Sequence, residues 1–206
     1  MKPTVIERSP EAAYAAGKYR GDVAEGYDAK RENNPKWIAE QRIIRSMLFD
    51  LPPQTKVLDI PCGTGRLFEF YKEFDFTVLG MDINEDMLIQ ARKKRDALGL
   101  LNVTLHKGDI LALPVQDGAF DVTLNIRLFN WLSPVDVAQA LINMQRIARH
   151  RIIFNVRVAN HPRVRGYDLI TTALWMREHN EGGRPWKIAR DEEIVPNYRM
   201  IMLEPK

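Results

Sequence analysis

Cysteine is nearly absent: Cys62 stands alone in 206 residues. That excludes an intrachain disulfide and a cysteine-based zinc cluster, and no metal ligand set is expected. No apolar run is long enough to cross a bilayer, so no membrane insertion is expected. The opening stretch MKPTVIERSPEAAYAAGKYR has no apolar core of a secretory leader, which points to a cytoplasmic protein. An excess of charge is missing too. With 30 Lys and Arg against 27 Asp and Glu, the net charge is +3, too small for the general footprint of a nucleic-acid binder. Internal repeats and low-complexity segments are also absent.

What is there fits one globular domain. A hydrophobic content of 45% over 206 residues supplies a full core. Residues 1–50 read as an N-terminal helical cap and 51–206 as the core. Residues 10–31 are Ala- and Tyr-rich and expected to be helical. Asn34 followed by Pro35 marks the start of a second helix, with Trp37, Ile44, Met47, Leu48 and Leu51 on one face. Strand patterns then alternate with helix patterns: strands at 56–60, 76–81, 102–106, 120–126, 151–158 and 198–205. Helices are expected over "GRLFEFYKEF", after Asn84, after Ser133, and over 166–178. Gly99 closes the helix that Asn84 opens. Residues 179–187 read as a loop. The alternation predicts an α/β, Rossmann-like, doubly wound and mostly parallel sheet of six to seven strands with helices on both faces.

In such sheets ligands bind beyond the carboxyl ends of the strands, so the turn after the first strand matters most. It reads VLDIPCGTGR, residues 57–66. A dinucleotide turn needs a third glycine, and Phe68 stands at that position. A phosphate-binding loop needs Lys-Ser or Lys-Thr after the second glycine, and Arg66 follows Gly65. What remains is Asp59-x-x-x-Gly63-x-Gly65, followed by GMDIN (80–84), GDILALP (108–114) and DGAFDVTLN (117–125).

This series resembles the class I S-adenosylmethionine (SAM) dependent methyltransferases, in the broad branch of quinone and small-molecule enzymes. The resemblance runs from about residue 40 to 160. It implies SAM as cofactor. Asp59 would favour the positive amino-acid end, and Gly63 and Gly65 would let backbone lie against the ligand. The following helix N-terminus would face its carboxylate. Asp82 would accept the ribose hydroxyls; Asp109 and Ile110 would meet the adenine. Cys62, Thr64, Arg66, Ile83, Met87, Gly108, Asn125 and Tyr19 complete the cofactor set. Cys62 is read as a small apolar filler rather than a nucleophile.

The methyl acceptor is less legible. A [DNS]-P-P-[YFW] motif is absent after the fourth strand, where the chain reads NIRLFNWL. Pro61-Cys62 copies the letters of a cytosine-C5 nucleophile but sits in the first turn. Arg127 can clamp a substrate carboxylate or phosphate, which points to an anionic small molecule. Asn130, Trp131, Asn155, Arg157 and Tyr27 are the other candidate acceptor residues. No histidine stands out as a base, so no catalytic residue is assigned; methyl transfer can proceed chiefly by proximity and orientation. Arg146, Arg149, Arg151, Arg157, Arg163 and Arg165 crowd one stretch with His150 and His161. Such a run is usually a solvated surface, although it also marks anionic partners. Two alternatives stay open: a SAM-binding regulatory or partner-dependent subunit, and an RNA-modifying methyltransferase.

Overall fold

Short runs of four to six residues, aliphatic where they are buried, make the first four strands of the sheet. In the computed structural model, which describes residues 10–157 and 185–206, these are β1 (Lys56–Asp59), β2 (Thr77–Asp82), β3 (Val103–Lys107) and β4 (Phe120–Asn125). β5 (Ala148–Arg157), β6 (Trp186–Val195) and β7 (Tyr198–Pro205) complete one seven-stranded sheet of order β3-β2-β1-β4-β5-β7-β6. The first five strands are parallel; β7 runs antiparallel between β5 and β6. The order reverses at β1, which has β2 on one side and β4 on the other, and a crevice opens there.

Side chains alternate along each strand and feed two cores. Val57, Val78 and Val122 point to one face with Ile44, Phe68, Tyr71 and Leu88. Leu58, Met81 and Phe154 point to the other with Leu141 and Met144. The first face is covered by α3 (Pro35–Leu48), α4 (Phe68–Glu73) and α5 (Glu85–Leu98), and the second by α6 (Pro134–Ile147). Caps set the helix ends as the sequence implies. The Asn34 side chain accepts from the Lys36 and Trp37 amides, and Asn84 from those of Asp86 and Met87. Ser133 accepts from the Asp136 amide. Gly99 takes the left-handed conformation that ends α5, at φ 67°.

Three expectations change. The helix over 10–31 is broken into α1 (Pro10–Lys18) and α2 (Asp22–Glu25), because Gly21 adopts φ 50°, ψ −130°, outside the reach of other residues. The helix after the glycine turn begins only at Phe68 and lasts six residues, so residues 63–67 are turn. β6 occupies ground partly read as loop. It is an edge strand whose Lys187, Arg190, Asp191, Glu192 and Glu193 discourage further pairing, and the same charges hide the apolar alternation. The two-residue turn Pro196-Asn197, with Asn197 at φ 62°, was the available signal of a hairpin. The helix expected at 166–178 lies outside the described residues, as do Arg163, Arg165 and His161.

Candidate functional site

A cleft of about 1030 Å³ opens at the carboxyl ends of β1, β2, β3 and β4. Its floor is the turn after β1. Gly63 sits at φ 58°, and a side chain there would meet the Met87 methyl at 3.4 Å. The Gly63 amide donates to Asp82 Oδ2 at 3.0 Å, and the Asn84 amide donates to Asp82 Oδ1 at 2.9 Å. Two backbone donors therefore aim the Asp82 carboxylate. Burial raises its pKa to about 6 against the pull of those amides. Asp59, at the end of β1, accepts from the Tyr71 hydroxyl at 2.9 Å. Burial raises its pKa to about 7, opposed by that hydrogen bond and by the Arg66 charge.

Of the residues read as cofactor-binding, Tyr19, Asp59, Cys62, Gly63, Thr64, Arg66, Asp82, Ile83, Met87, Gly108, Asp109 and Ile110 line this cleft. Asp109 caps a short 3-10 turn, accepting from the Leu111 amide. Gly65 and Asn125 do not line it. Gly65 has φ 81°, and any side chain would lie 2.4 Å from the Phe68 ring, so its role is to let that ring pack. Asn125 is fully buried and donates to the Ile60 carbonyl at 2.8 Å, bracing the turn from beneath. Cys62 packs in the core beside Gly80, and burial raises its thiol pKa well above the ordinary value, as expected of an inert filler.

The helix terminus expected to face an anion does not form at the turn. Helix α4 is too short and starts too late, with no side-chain cap. Arg66 instead lines the cleft, stacks 4.1 Å above the Trp37 ring and pairs with Glu40 at 3.0 Å. Its Nε and Nη2 are buried without a hydrogen-bond partner. Two unmet charged donors beside a cavity fit an anionic group of a ligand.

Glu40 is the residue that sequence reasoning missed. Its side chain is wholly buried and pairs with Arg66 and, at 2.8 Å, with Arg127. Asn155 Nδ2 donates to its other oxygen at 3.3 Å. The available signal was a charge on the apolar stripe of α3, three residues after Trp37 and four before Ile44. Arg127 follows β4 at φ 67°, a costly conformation for a long side chain. Asn155 holds it by accepting from the Arg127 amide at 2.7 Å. Asn155 is therefore buried behind Arg127 and lines neither cavity. Burial works against the Arg127 charge, but Glu40 outweighs it and raises the pKa.

A second cavity of about 650 Å³ adjoins the first. They share Tyr19, Tyr27, Arg127 and Trp131. Asn130 and Arg157, both read as acceptor residues, line the second cavity, as do Lys18, Arg31, Lys36 and Tyr198. Asn130 Nδ2 donates to the Tyr198 hydroxyl at 3.2 Å, and Lys36 sits 3.4 Å above the Tyr198 ring. The N-terminal segment is tied to the turn after β1 and to the start of α5. Thr64 donates to Asp28 at 2.6 Å, and the Gly21 amide donates to Asp86 at 3.0 Å.

Three described arginines of the basic stretch are spent on ion pairs. Arg146 pairs with Asp117, Arg149 with Asp121, and the buried Arg151 with Asp50 and Glu204. Among the described residues, no helix is long and apolar enough to cross a membrane.

Residues 57–151 match the family described as "Methyltransferase domain". Fold, motifs and this match support a class I SAM-dependent methyltransferase, as the resemblance implied. Demethylmenaquinone methyltransferase of Shouchella clausii (strain KSM-K16) is 37% identical over 106 residues, covering 49% of this chain and 43% of that protein. The namesake from Renibacterium salmoninarum is 29% identical over 160 residues, covering 76% of this chain and 63% of that protein. The chain thus spans less than two thirds of either relative's length. Among solved structures, magnesium protoporphyrin IX methyltransferase from Synechocystis PCC 6803 with bound SAM superposes with TM-score 0.75. Identity is 15%, covering 98% of this chain and all of that one. A SAM-dependent methyltransferase from Aquifex aeolicus gives 0.67 at 19% identity, covering 86% and 96%. At such identities the likeness is one of fold.

Proposed function

We propose that the protein transfers the methyl group of SAM to a small anionic acceptor. The observation that carries this reading is the order of groups along one continuous cleft. Asp82 and the Asp109–Ile110 turn suit the adenosine, and Asp59 suits the ammonium. The unmet Arg66 donors suit the carboxylate, and Arg127 stands where the cleft meets the second cavity. Bound there, SAM would supply an electrophilic methyl on a sulfonium, which an acceptor lone pair could take while the C–S bonding pair stayed on sulfur.

The chain's own part is to bind, orient and exclude water. No side chain is assigned as a base. Tyr19 is an unsuitable one, since burial and then Tyr27 push its pKa up to about 12. Holding donor and acceptor in line supplies the main rate advantage. Arg127, fixed by Glu40 and Asn155, would orient the acceptor's anionic group through a prepositioned guanidinium. A cytoplasmic location belongs to this reading, as does action on metabolites rather than RNA: Arg146, Arg149 and Arg151, the described head of the basic stretch, are paired with acids.

The test is incubation with methyl-labelled SAM and separate pools of small metabolites, RNA and protein. Label is expected in the metabolite pool, in its anionic fraction. Label confined to RNA or protein, or no label despite SAM binding, would overturn it.

A further inference from the structure

Among the described residues, Arg66 is the only charged side chain with buried donors that meet no acceptor, its Nε and its Nη2. The side chain is only 9% exposed, and the residue lines the cleft. Its third nitrogen, Nη1, donates to Glu40 Oε2 at 3.0 Å. In a planar guanidinium Nε and Nη2 share one edge and direct parallel N–H bonds from it, while Nη1 lies on the side of Cδ. The unmet pair is therefore a two-pronged fork, the shape that matches both oxygens of one carboxylate.

Two neighbours fix that fork. Glu40 holds Nη1, and is held in turn by Asn155 and Arg127. The guanidinium sits over the Trp37 ring, 4.1 Å from its centre. Asp59 lines the same cleft within reach of this charge: burial raises its pKa, and the Tyr71 hydrogen bond and Arg66 oppose the rise. Asp59 and Arg66 do not pair with each other, since Asp59 accepts from Tyr71 and Arg66 turns to Glu40. A carboxylate and a guanidinium set near one another but left apart suit a zwitterion that carries ammonium and carboxylate on one carbon. Helix α4 begins only at Phe68, so no helix terminus at the turn competes for the anion.

We propose that Arg66 sets which forms of the cofactor the protein accepts: its Nε–Nη2 edge takes the α-carboxylate, so tight binding requires the complete amino-acid tail, and adenosyl sulfonium or thioether compounds that lack the carboxylate are rejected. The proposal rests on the methyltransferase reading and deepens it from a place for an anion to a discrimination between cofactor forms. Glu40 and Trp37 act as positioning residues, one by engaging the nitrogen outside the fork and the other by supporting its plane. Selectivity follows from the burial of the fork. A ligand without the carboxylate leaves two charged donors shut away from water and unmet, which is a larger loss than the absence of a contact at an exposed site.

The test is calorimetric titration of the whole protein with S-adenosylhomocysteine and with its decarboxylated form, which keeps the adenosine, the thioether and the ammonium and lacks only the carboxylate. S-adenosylhomocysteine is expected to bind at least about tenfold more tightly. Arg66→Met should bring the two affinities within about twofold of each other by weakening S-adenosylhomocysteine, with the decarboxylated form binding as before. Arg66→Lys keeps a cation beside Glu40 and loses the fork; it guards against misfolding of the first variant and should restore the preference only in part. Equal affinity of the two ligands for the unaltered protein would overturn the proposal. So would a preference that survives Arg66→Met, as it would if the fork held only an ordered water, or an equal weakening of both ligands, as a merely structural arginine would give. Full restoration by Arg66→Lys would overturn the two-pronged contact. If neither ligand binds the unaltered protein, the methyltransferase reading falls and the proposal with it; if both bind without preference, the proposal falls alone.

Discussion

The glycine-lined cleft is assembled from the turns that follow consecutive parallel strands, whereas the basic cavity beside it is assembled from side chains of α1, α3, β5, β7 and the turn after β4. In the cleft, position follows from backbone. Gly63 takes a φ that is strained for other residues, and Asp82 is aimed by two main-chain amides. In the cavity, position follows from pairing. Arg127 is where it is because Glu40 and Asn155, 87 and 28 residues away in the chain, hold it there. The first design tolerates change in side chains but not in backbone; the second has the opposite sensitivity.

The sharpest way to break the contrast is at Glu40, which touches both regions. Glu40→Ala leaves two guanidinium groups without their buried counter-ion. Breaking a buried pair costs about 3–5 kcal/mol, and the lower end applies because Arg127 keeps a quarter of its side chain exposed. Urea unfolding should show that loss, with Glu40→Gln milder.

Gly63→Val attacks backbone alone. The β-branched side chain would be strained at φ 58° and would fill space in the cleft. Affinity for S-adenosylhomocysteine should fall by more than about a hundredfold, near 3 kcal/mol, while the circular dichroism spectrum stays unchanged. An altered spectrum would mean that the turn carries the fold as well as the cleft.

Arg127→Ala should do the converse. Losing a charged hydrogen bond to the acceptor costs about 1.5–3 kcal/mol, so kcat/KM for the labelled acceptor should drop at least about tenfold. Cofactor affinity should remain within a few-fold, since Arg66 keeps Glu40. Arg127→Lys should recover little, because an ammonium cannot reproduce the Glu40 and acceptor contacts together.

The difference between the regions also explains what could be read in advance. The turn after β1, the acid ending β2 and the Asp109 turn are local features, so their residue types betray them in sequence order. Asn125 and Gly65 fall outside the cleft lining, because the motif marks a turn without saying which of its residues face the cavity and which support it. Lys36 and Tyr198 carry no local mark at all: 162 positions apart by number, they meet only when β7 inserts beside β5. Glu40 carried a weak mark, as a carboxylate on an apolar helix face. β6 carried a contrary one, since an edge strand that must stay unpaired is charged where a central strand is apolar.

The smallest expected effect is a pH dependence confined to the cleft. Asp59 and Asp82 have folded pKa values of about 7 and about 6, raised above those of an unfolded chain. Their contribution to the stability of the ligand-free protein is therefore full below about pH 4 and lost as pH rises through about 6 to 7. A ligand ammonium favours ionised Asp59, so its binding works in the opposite sense. The thermal shift produced by S-adenosylhomocysteine should grow from acidic to mildly alkaline pH. A shift that shrinks over that range would remove Asp59 from the ligand's surroundings.

The central claim is that the turn after β1 and the acid ending β2 are built for a nucleoside with an amino-acid tail rather than for a dinucleotide. Calorimetric titration of the whole protein with S-adenosylhomocysteine, and in parallel with NAD, tests it most directly. A low-micromolar dissociation constant, about −8 kcal/mol, is expected for the first, with no detectable heat from the second; tight NAD binding with none for S-adenosylhomocysteine would contradict the claim.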